Sequence, residues 1–269
     1  MKWVCFYLFV LILSAHAQFS VEELLQPCVY TNETGEVFPY RLHAPQFAKP
    51  NQRYPLIVFL HGSGECGTNN SSQIKVGLPT LMAKLIKRPE PVMVLASQCQ
   101  VGNWWVKRLA RDEDYAASAE PTPSMEVVLT IVDYLMATRQ ADPNRIYITG
   151  LSLGGFGTWD AIQRAPTLFA AAIPICGGGD IRRVQPIKQL PIWVFHGDAD
   201  KNVNVRCSQR MVESLKLAGS REVRYTEYAG AAHNVWDRTF ANDEVIDWLF
   251  SQTREKKSWW RRFWCALKL

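Results

Sequence analysis

Three residues in this sequence have the types and the order needed to make a hydroxyl attack a carbonyl: Ser152, Asp200 and His233. A serine hydroxyl is a poor nucleophile until a base removes its proton, and an imidazole does so best when a carboxylate fixes its tautomer. Ser152 sits in Gly150-Leu151-Ser152-Leu153-Gly154, directly after the β-rich run Ile146-Tyr147-Ile148-Thr149 and before a helical pattern beginning near Gly155. G-x-S-x-G between a strand and a helix is a turn too sharp for side chains two residues either side of the serine. The sharpness lifts the hydroxyl above the sheet edge, with a helix N-terminus behind it. The plainer reading is a glycine-rich turn with a capping serine. The order serine, acid, histidine favours the catalytic one. Of the two aspartates in His196-Gly197-Asp198-Ala199-Asp200, Asp200 lies deeper in the loop and is expected to turn back toward His233, while Asp198 is expected to shape the turn.

A carbonyl under attack develops an oxyanion that needs N–H donors. One is expected from the backbone of Leu153, the residue after the nucleophile. The other is expected from Ser63 or Gly64, in His61-Gly62-Ser63-Gly64-Glu65 after an earlier apolar strand. His61 and His196 each end a strand before a glycine, where a structural role is expected. His43 lies upstream of the sheet core, so His233 is the base. Trp104, Trp105 and Trp236 fall in loops on the expected active-site side, as walls for a substrate or as core filler.

These groups need a scaffold. The runs Pro55-Leu56-Ile57-Val58-Phe59-Leu60 and Val92-Met93-Val94-Leu95-Ala96 are apolar without alternation, as in strands buried on both faces. Residues 125–138 carry apolar side chains at helical spacing behind Pro123-Ser124, and Asp142-Pro143-Asn144 reads as a turn. Further strands are expected over residues 145–149, 170–175, 191–195 and 223–228, with helices over 205–217 and 241–250. Alternating strands and helices predict an α/β fold with a mostly parallel central sheet and helices on both faces. Ligands in such sheets sit beyond the carboxyl ends of the strands, and Ser152, Asp200, His233 and the loop of Gly62 to Gly64 each fall just after a strand.

The chain has 269 residues, 48% hydrophobic and 20% charged, with a net charge of +5 spread among acidic neighbours. That is globular composition, and it gives no footprint for nucleic acid. The expected organisation is a signal peptide over residues 1–17, a catalytic domain over 18–252 and a basic, aromatic tail over 253–269. Lys2, the apolar stretch of residues 4–13 and Ala15-His16-Ala17 make the leader, which implies secretion. The tail, Lys256-Lys257-Ser258-Trp259-Trp260-Arg261-Arg262-Phe263-Trp264-Cys265, suits weak contact with a membrane or anionic surface, or is simply a frayed end. Asn32, Asn69 and Asn70 stand in glycosylation sequons. The cysteine spacings contain no C-x-x-C and no histidine partners, so no metal site is expected.

Taken residue by residue, His61-Gly62-Ser63-Gly64-Glu65, Ser97-Gln98-Cys99 followed by Trp104-Trp105, Gly150-Leu151-Ser152-Leu153-Gly154-Gly155 and His196-Gly197-Asp198-Ala199-Asp200 resemble secreted α/β-hydrolases. The resemblance is to carboxylesterases related to feruloyl and polyhydroxybutyrate esterases and to the catalytic domain of prolyl oligopeptidases, and it covers residues 39–250. It implies the α/β-hydrolase fold, the triad Ser152, Asp200 and His233, and hydrolysis of a small-molecule or glycan-linked ester without a cofactor. A small-peptide hydrolase with the same triad, or a binding module on an inactive scaffold, are the competing readings. One departure is Cys66, which stands where such proteins often carry a basic residue. In a secreted protein it is expected to be able to bond Cys99, since both lie at the ends of neighbouring strands.

Overall fold

One eight-stranded sheet organises the chain in the computed structural model, which describes residues 20–45, 52–107 and 115–254. A capping box between Ser20 and Glu23 starts a short helix, α1 (Val21–Leu24). Two strands follow, β1 (Gln26–Thr31) and β2 (Val37–His43), then β3 (Tyr54–Leu60), α2 (Leu78–Leu85), β4 (Met93–Ser97) and α3 (Pro123–Ala137). The second half runs β5 (Ala141–Leu151), α4 (Leu153–Arg164), β6 (Ala171–Ile175), then, across two short 3-10 turns, β7 (Ile192–Gly197), followed by α5 (Arg206–Leu217), β8 (Val223–Tyr228), α6 (Trp236–Ala241) and α7 (Asp243–Ser251). The spatial order is β1-β2-β4-β3-β5-β6-β7-β8. Strands β3 to β8 run parallel, while β2 is antiparallel to both β1 and β4.

The unbroken apolar run of β3 has the expected meaning. Leu56, Val58 and Leu60 face a core built from α3, α4 and α5, including Met125, Val128, Phe156, Trp159 and Met211. Ile57 and Phe59 face the other core, built from α2, α6 and α7, including Leu78, Leu81, Phe240, Val245 and Leu249. A strand with apolar neighbours above and below cannot alternate with polar residues.

Local chemistry explains where the elements differ from the sequence-based expectation. Strand β1 is mostly exposed and β2 mostly half-buried, so their signal is weaker than that of the buried strands. The turn at Asp142-Pro143-Asn144 lies within the span of β5. The Asn144 N–H donates to Asp142 Oδ1, and pairing with β3 shifts register between Tyr54 and Leu56. The last helix divides at Asn242, whose side chain accepts from the Glu244 N–H and caps α7. Trp236 therefore opens a helix, α6, rather than lying in a loop. The expected leader and the tail from Lys256 lie outside the described residues.

Candidate active site

The register of the parallel strands brings Leu60, Ser97, Gly150, Ile175 and Gly197 to one edge of the sheet, and the loops beyond them form the site. Ser152 is held at φ 55°, ψ −116° between β5 and α4, a conformation few L-residues adopt. Its N–H donates to the Ile175 carbonyl at 2.9 Å, which anchors the turn to β6. The glycines are steric necessities. A Cβ on Gly154 would lie 1.9 Å from the Leu60 carbonyl oxygen, and one on Gly150 would lie 2.3 Å from the Gly154 oxygen. Leu153 is the first residue of α4, so its N–H has no intrahelical acceptor and is free to serve a ligand.

Ser152 Oγ lies 2.9 Å from His233 Nε2, and His233 Nδ1 lies 2.6 Å from Asp200 Oδ2. The base loop rests on the acid loop because Gly197 has no side chain; a Cβ there would meet the Ala231 oxygen at 2.3 Å. The Asp200 side chain is wholly buried. Burial works against its charge, but hydrogen bonds from His196, His233 and the N–H groups of Val203 and Asn202 outweigh it and hold the carboxyl far below the usual carboxylate range. Asp198 is exposed and accepts from the Gly230 N–H, bracing the two loops without touching the histidine.

Two residues support this arrangement: His196, for which a structural role was expected, and Cys176, which sequence reasoning did not single out. His196 Nε2 lies 3.1 Å from both Asp200 Oδ2 and the Val203 carbonyl oxygen, so that nitrogen faces acceptors only and carries a proton. Its Nδ1 lies 2.7 Å from Ser208 Oγ, which also lies 2.9 Å from the Gly177 carbonyl oxygen. Cys176, at φ 49° just after β6, donates its thiol to the His233 carbonyl at 3.3 Å. The motif at residues 196–200 contained a signal for His196, but its partner Ser208 stands a helix turn into α5.

On the other side of Ser152, the 3-10 turn Ser63–Glu65 leads away from β3. Ser63 lines a cleft of about 630 Å³ together with Ser152, Leu153, Phe156, Asn202, Val203 and His233. Gly64 is exposed and lies outside that lining. A second cleft of about 510 Å³, on the other flank of His233, is lined by Trp236, Ala232, Asn234 and Lys201. Trp236 stands edge-on to the His233 ring at 5.4 Å. For Trp105 the structure decides between the two readings, wall or core filler. It is fully buried and donates its indole N–H to the His61 carbonyl, and Gly157 makes room for it. It is core filler packed against the loop that follows β3. Trp104 is half-buried and packs on the same core, and neither cleft includes it.

Two clusters bring three metal-type donors together among the described residues: His61, Cys66 and Cys99, and Cys176, His196 and Asp200. In both, the histidine nitrogens are already committed. His61 Nδ1–H donates to the Gly62 carbonyl and its Nε2 accepts the Cys99 N–H, while His196 is tied to Asp200 and Ser208.

The sheet order, with its antiparallel second strand, and the strained serine between β5 and α4 define an α/β-hydrolase, the fold of a serine esterase. Within that class the chain belongs to the phospholipase/carboxylesterase family, whose profile matches residues 46–246. Over 86% of its length it is similar to a thermostable esterase of known structure, with 40% identity and a TM-score of 0.77, covering 64% of that chain. It is 24% identical over 176 residues to the bifunctional acetylxylan esterase/xylanase of Neocallimastix patriciarum, matching 65% of this chain and 23% of that protein. Over 48 residues, 18% of this chain, it is 46% identical to poly(3-hydroxyalkanoate) depolymerase C of Paucimonas lemoignei, matching 12% of that protein. The chain thus spans less than a quarter of the length of these curated relatives.

Proposed function

We propose that this protein is a secreted esterase that cleaves small or glycan-linked carboxylic esters through an acyl-enzyme. The observation that carries the reading is the continuous Ser152–His233–Asp200 chain, with contacts of 2.9 and 2.6 Å, set on a turn that only the flanking glycines permit. His233 Nε2 takes the proton of Ser152 as the hydroxyl attacks the ester carbonyl. Asp200 holds the imidazole in that tautomer and stabilises its charged form. The Leu153 N–H, with a backbone N–H of the Ser63–Gly64 turn, receives the oxyanion. His233 then protonates the leaving alcohol, and a water activated in the same way releases the acid.

The substrate class rests on two supports. The clefts on either side of His233 offer Asn202, Asn234 and Lys201 beside the indole of Trp236, a mixture that suits a sugar or other polyhydroxylated alcohol. A relative named for acetylxylan esterase activity points the same way. Secretion rests on the leader pattern of residues 1–17.

Hydrolysis of p-nitrophenyl acetate and butyrate by wild type and Ser152→Ala tests the class. Turnover in wild type that falls at least about 10³-fold in the variant, with unfolding midpoints alike, is the expected result. Equal rates in the two proteins would remove the assignment. A parallel assay on acetylated xylo-oligosaccharide and on an aminoacyl amide then separates a glycan esterase from a peptide hydrolase.

A further inference from the structure

Strands β3 and β4 are parallel neighbours with Leu60 opposite Ser97, so the chain leaves both at the same edge of the sheet. Six residues beyond Leu60 comes Cys66, and two beyond Ser97 comes Cys99. Their Sγ atoms lie 3.3 Å apart, as free thiols. The two segments are already fixed against each other. The Gly67 N–H donates to the Cys99 carbonyl at 2.9 Å, and the Cys99 N–H donates to His61 Nε2 at 3.1 Å. The Gln98 side chain donates to the Glu65 carbonyl at 3.0 Å. Cys66 is half-buried, whereas Cys99 is fully buried.

We propose that Cys66 and Cys99 form a dithiol site that exchanges with low-molecular-weight disulfides and, once closed, clamps the loop carrying Ser63 to the end of β4. The clamp's meaning for catalysis rests on the esterase reading, but the exchange itself does not.

The pair is asymmetric in the way such chemistry needs. The hydrogen bond from the Cys99 thiol lowers the Cys66 thiol against the effect of its burial, while burial pushes the Cys99 thiol up. Cys66 is therefore the attacking sulfur and the accessible one. Its thiolate breaks the S–S bond of a disulfide RSSR, forms the mixed disulfide and releases RS⁻, which takes up the proton Cys66 gave up. The Cys99 sulfur then loses its proton, attacks Cys66 Sγ and expels the second RS⁻. Two protein thiols are oxidised, one RSSR is reduced to two RSH, and protons and electrons balance. A mildly oxidising exterior drives the reaction forward, and an excess of reduced thiol reverses it.

The experiment equilibrates wild-type protein with oxidised or reduced glutathione, alkylates free thiols, digests without reduction and reads the peptides by mass spectrometry. A peptide pair joined through Cys66 and Cys99 after oxidised glutathione, and both cysteines alkylated after reduced glutathione, is expected. Closing a loop of this length should raise the unfolding midpoint by about 10 °C, and Cys66→Ser should lose that response. Both cysteines alkylated under every condition, either one bonded elsewhere, or Cys66 halted as a glutathione adduct overturns the proposal. If Cys66→Ser fails to fold, the alkylation result on wild type decides alone. A wild type inactive on esters that still forms the cross-link would sink the esterase reading and leave this one standing.

Discussion

The two loops that close on Ser152 are held by opposite means. The loop after β7, residues 198–205, is organised around a buried charge: Asp200 accepts from two histidines and two backbone N–H groups. The loop after β3, residues 61–67, is organised around neutral groups: a histidine in a fixed tautomer, a buried indole and two thiols. Its one acid, Glu65, is pushed toward the protonated form by burial, and its carboxyl is turned back on the Gly62 N–H. In the proposed mechanism the difference follows the charge that would develop on each side. An imidazolium would form beside the first loop, where a fixed carboxylate stabilises it, and an oxyanion beside the second, where a fixed negative charge would compete for the same donors.

Removing the charge should produce the largest effect. Asp200→Asn keeps the shape of the side chain but offers His233 Nδ1 no anion, and it confronts His196 with an amide. A fall in kcat of about 10³ to 10⁴ on a p-nitrophenyl ester at neutral pH is expected, with KM little changed. Asp198→Asn, at an exposed carboxylate that holds only the Gly230 N–H, should stay within about three-fold. If the two variants lose activity equally, the loop does not work through a buried charge and the comparison fails.

Acid should separate the loops next. Burial lowers the His61 imidazole from 6.5 to about 4, against a smaller opposing contribution from the Gly62 carbonyl. Between those two pH values the unfolded chain binds a proton that the folded chain refuses. The stability tied to neutral His61 is thus complete above about pH 6.5 and is lost as pH falls toward 4, by about 3 kcal/mol in all. Asp200 behaves in the other sense. Its carboxyl is depressed, so its contribution is intact throughout that window and is lost only below the ordinary carboxylate range. Urea midpoints of Ser152→Ala measured from pH 7 to pH 4 would show the loss, and His61→Gln should flatten the slope. A midpoint level across that range would mean the neutral loop tolerates a buried charge.

How readily each loop could be read in the sequence follows from the same contrast. The elbow was legible because its requirement is steric: Gly150 and Gly154 are forced by backbone carbonyls within about a bond length or two of where a Cβ would sit, and only one residue type satisfies that. Asp200 and His233 were legible because their order and their positions after β7 and β8 are fixed by the topology. The buried strands announced themselves by unbroken apolar runs, while β1 and β2, exposed or half-buried along most of their length, did not. Trp105 stayed open between wall and core filler because a tryptophan following a strand looks alike whether it lines a cleft or lies beneath one. Its direction was decided by the His61 carbonyl and by the absence of a side chain at Gly157, neither visible from spacing. His196 has the structural role expected of it, but a histidine before a glycine at a strand end says nothing of the carboxylate four residues on that it holds.

The smallest of the three effects is the one that sharpens the comparison most, and it concerns His196. If the charged loop works as a unit, the orientation of Asp200 depends on the donor that occupies the other lone pair of Oδ2. His196→Leu deletes that donor, along with the link to Ser208, while filling much of the same volume. A fall in kcat of about ten-fold is expected, the scale of one hydrogen bond to a charged group. His196→Gln can place an amide N–H near the position of Nε2 and should recover most of the rate. A residue that only fills space would give the opposite pattern: both variants would lose stability, and kcat of the folded fraction would not follow the donor. The measurement is therefore kcat and KM for both variants at a temperature well below their unfolding midpoints. Recovery by glutamine but not leucine makes His196 a positioning residue for Asp200, whereas equal rates in the two would leave Asp200 held by His233 and its two backbone donors alone.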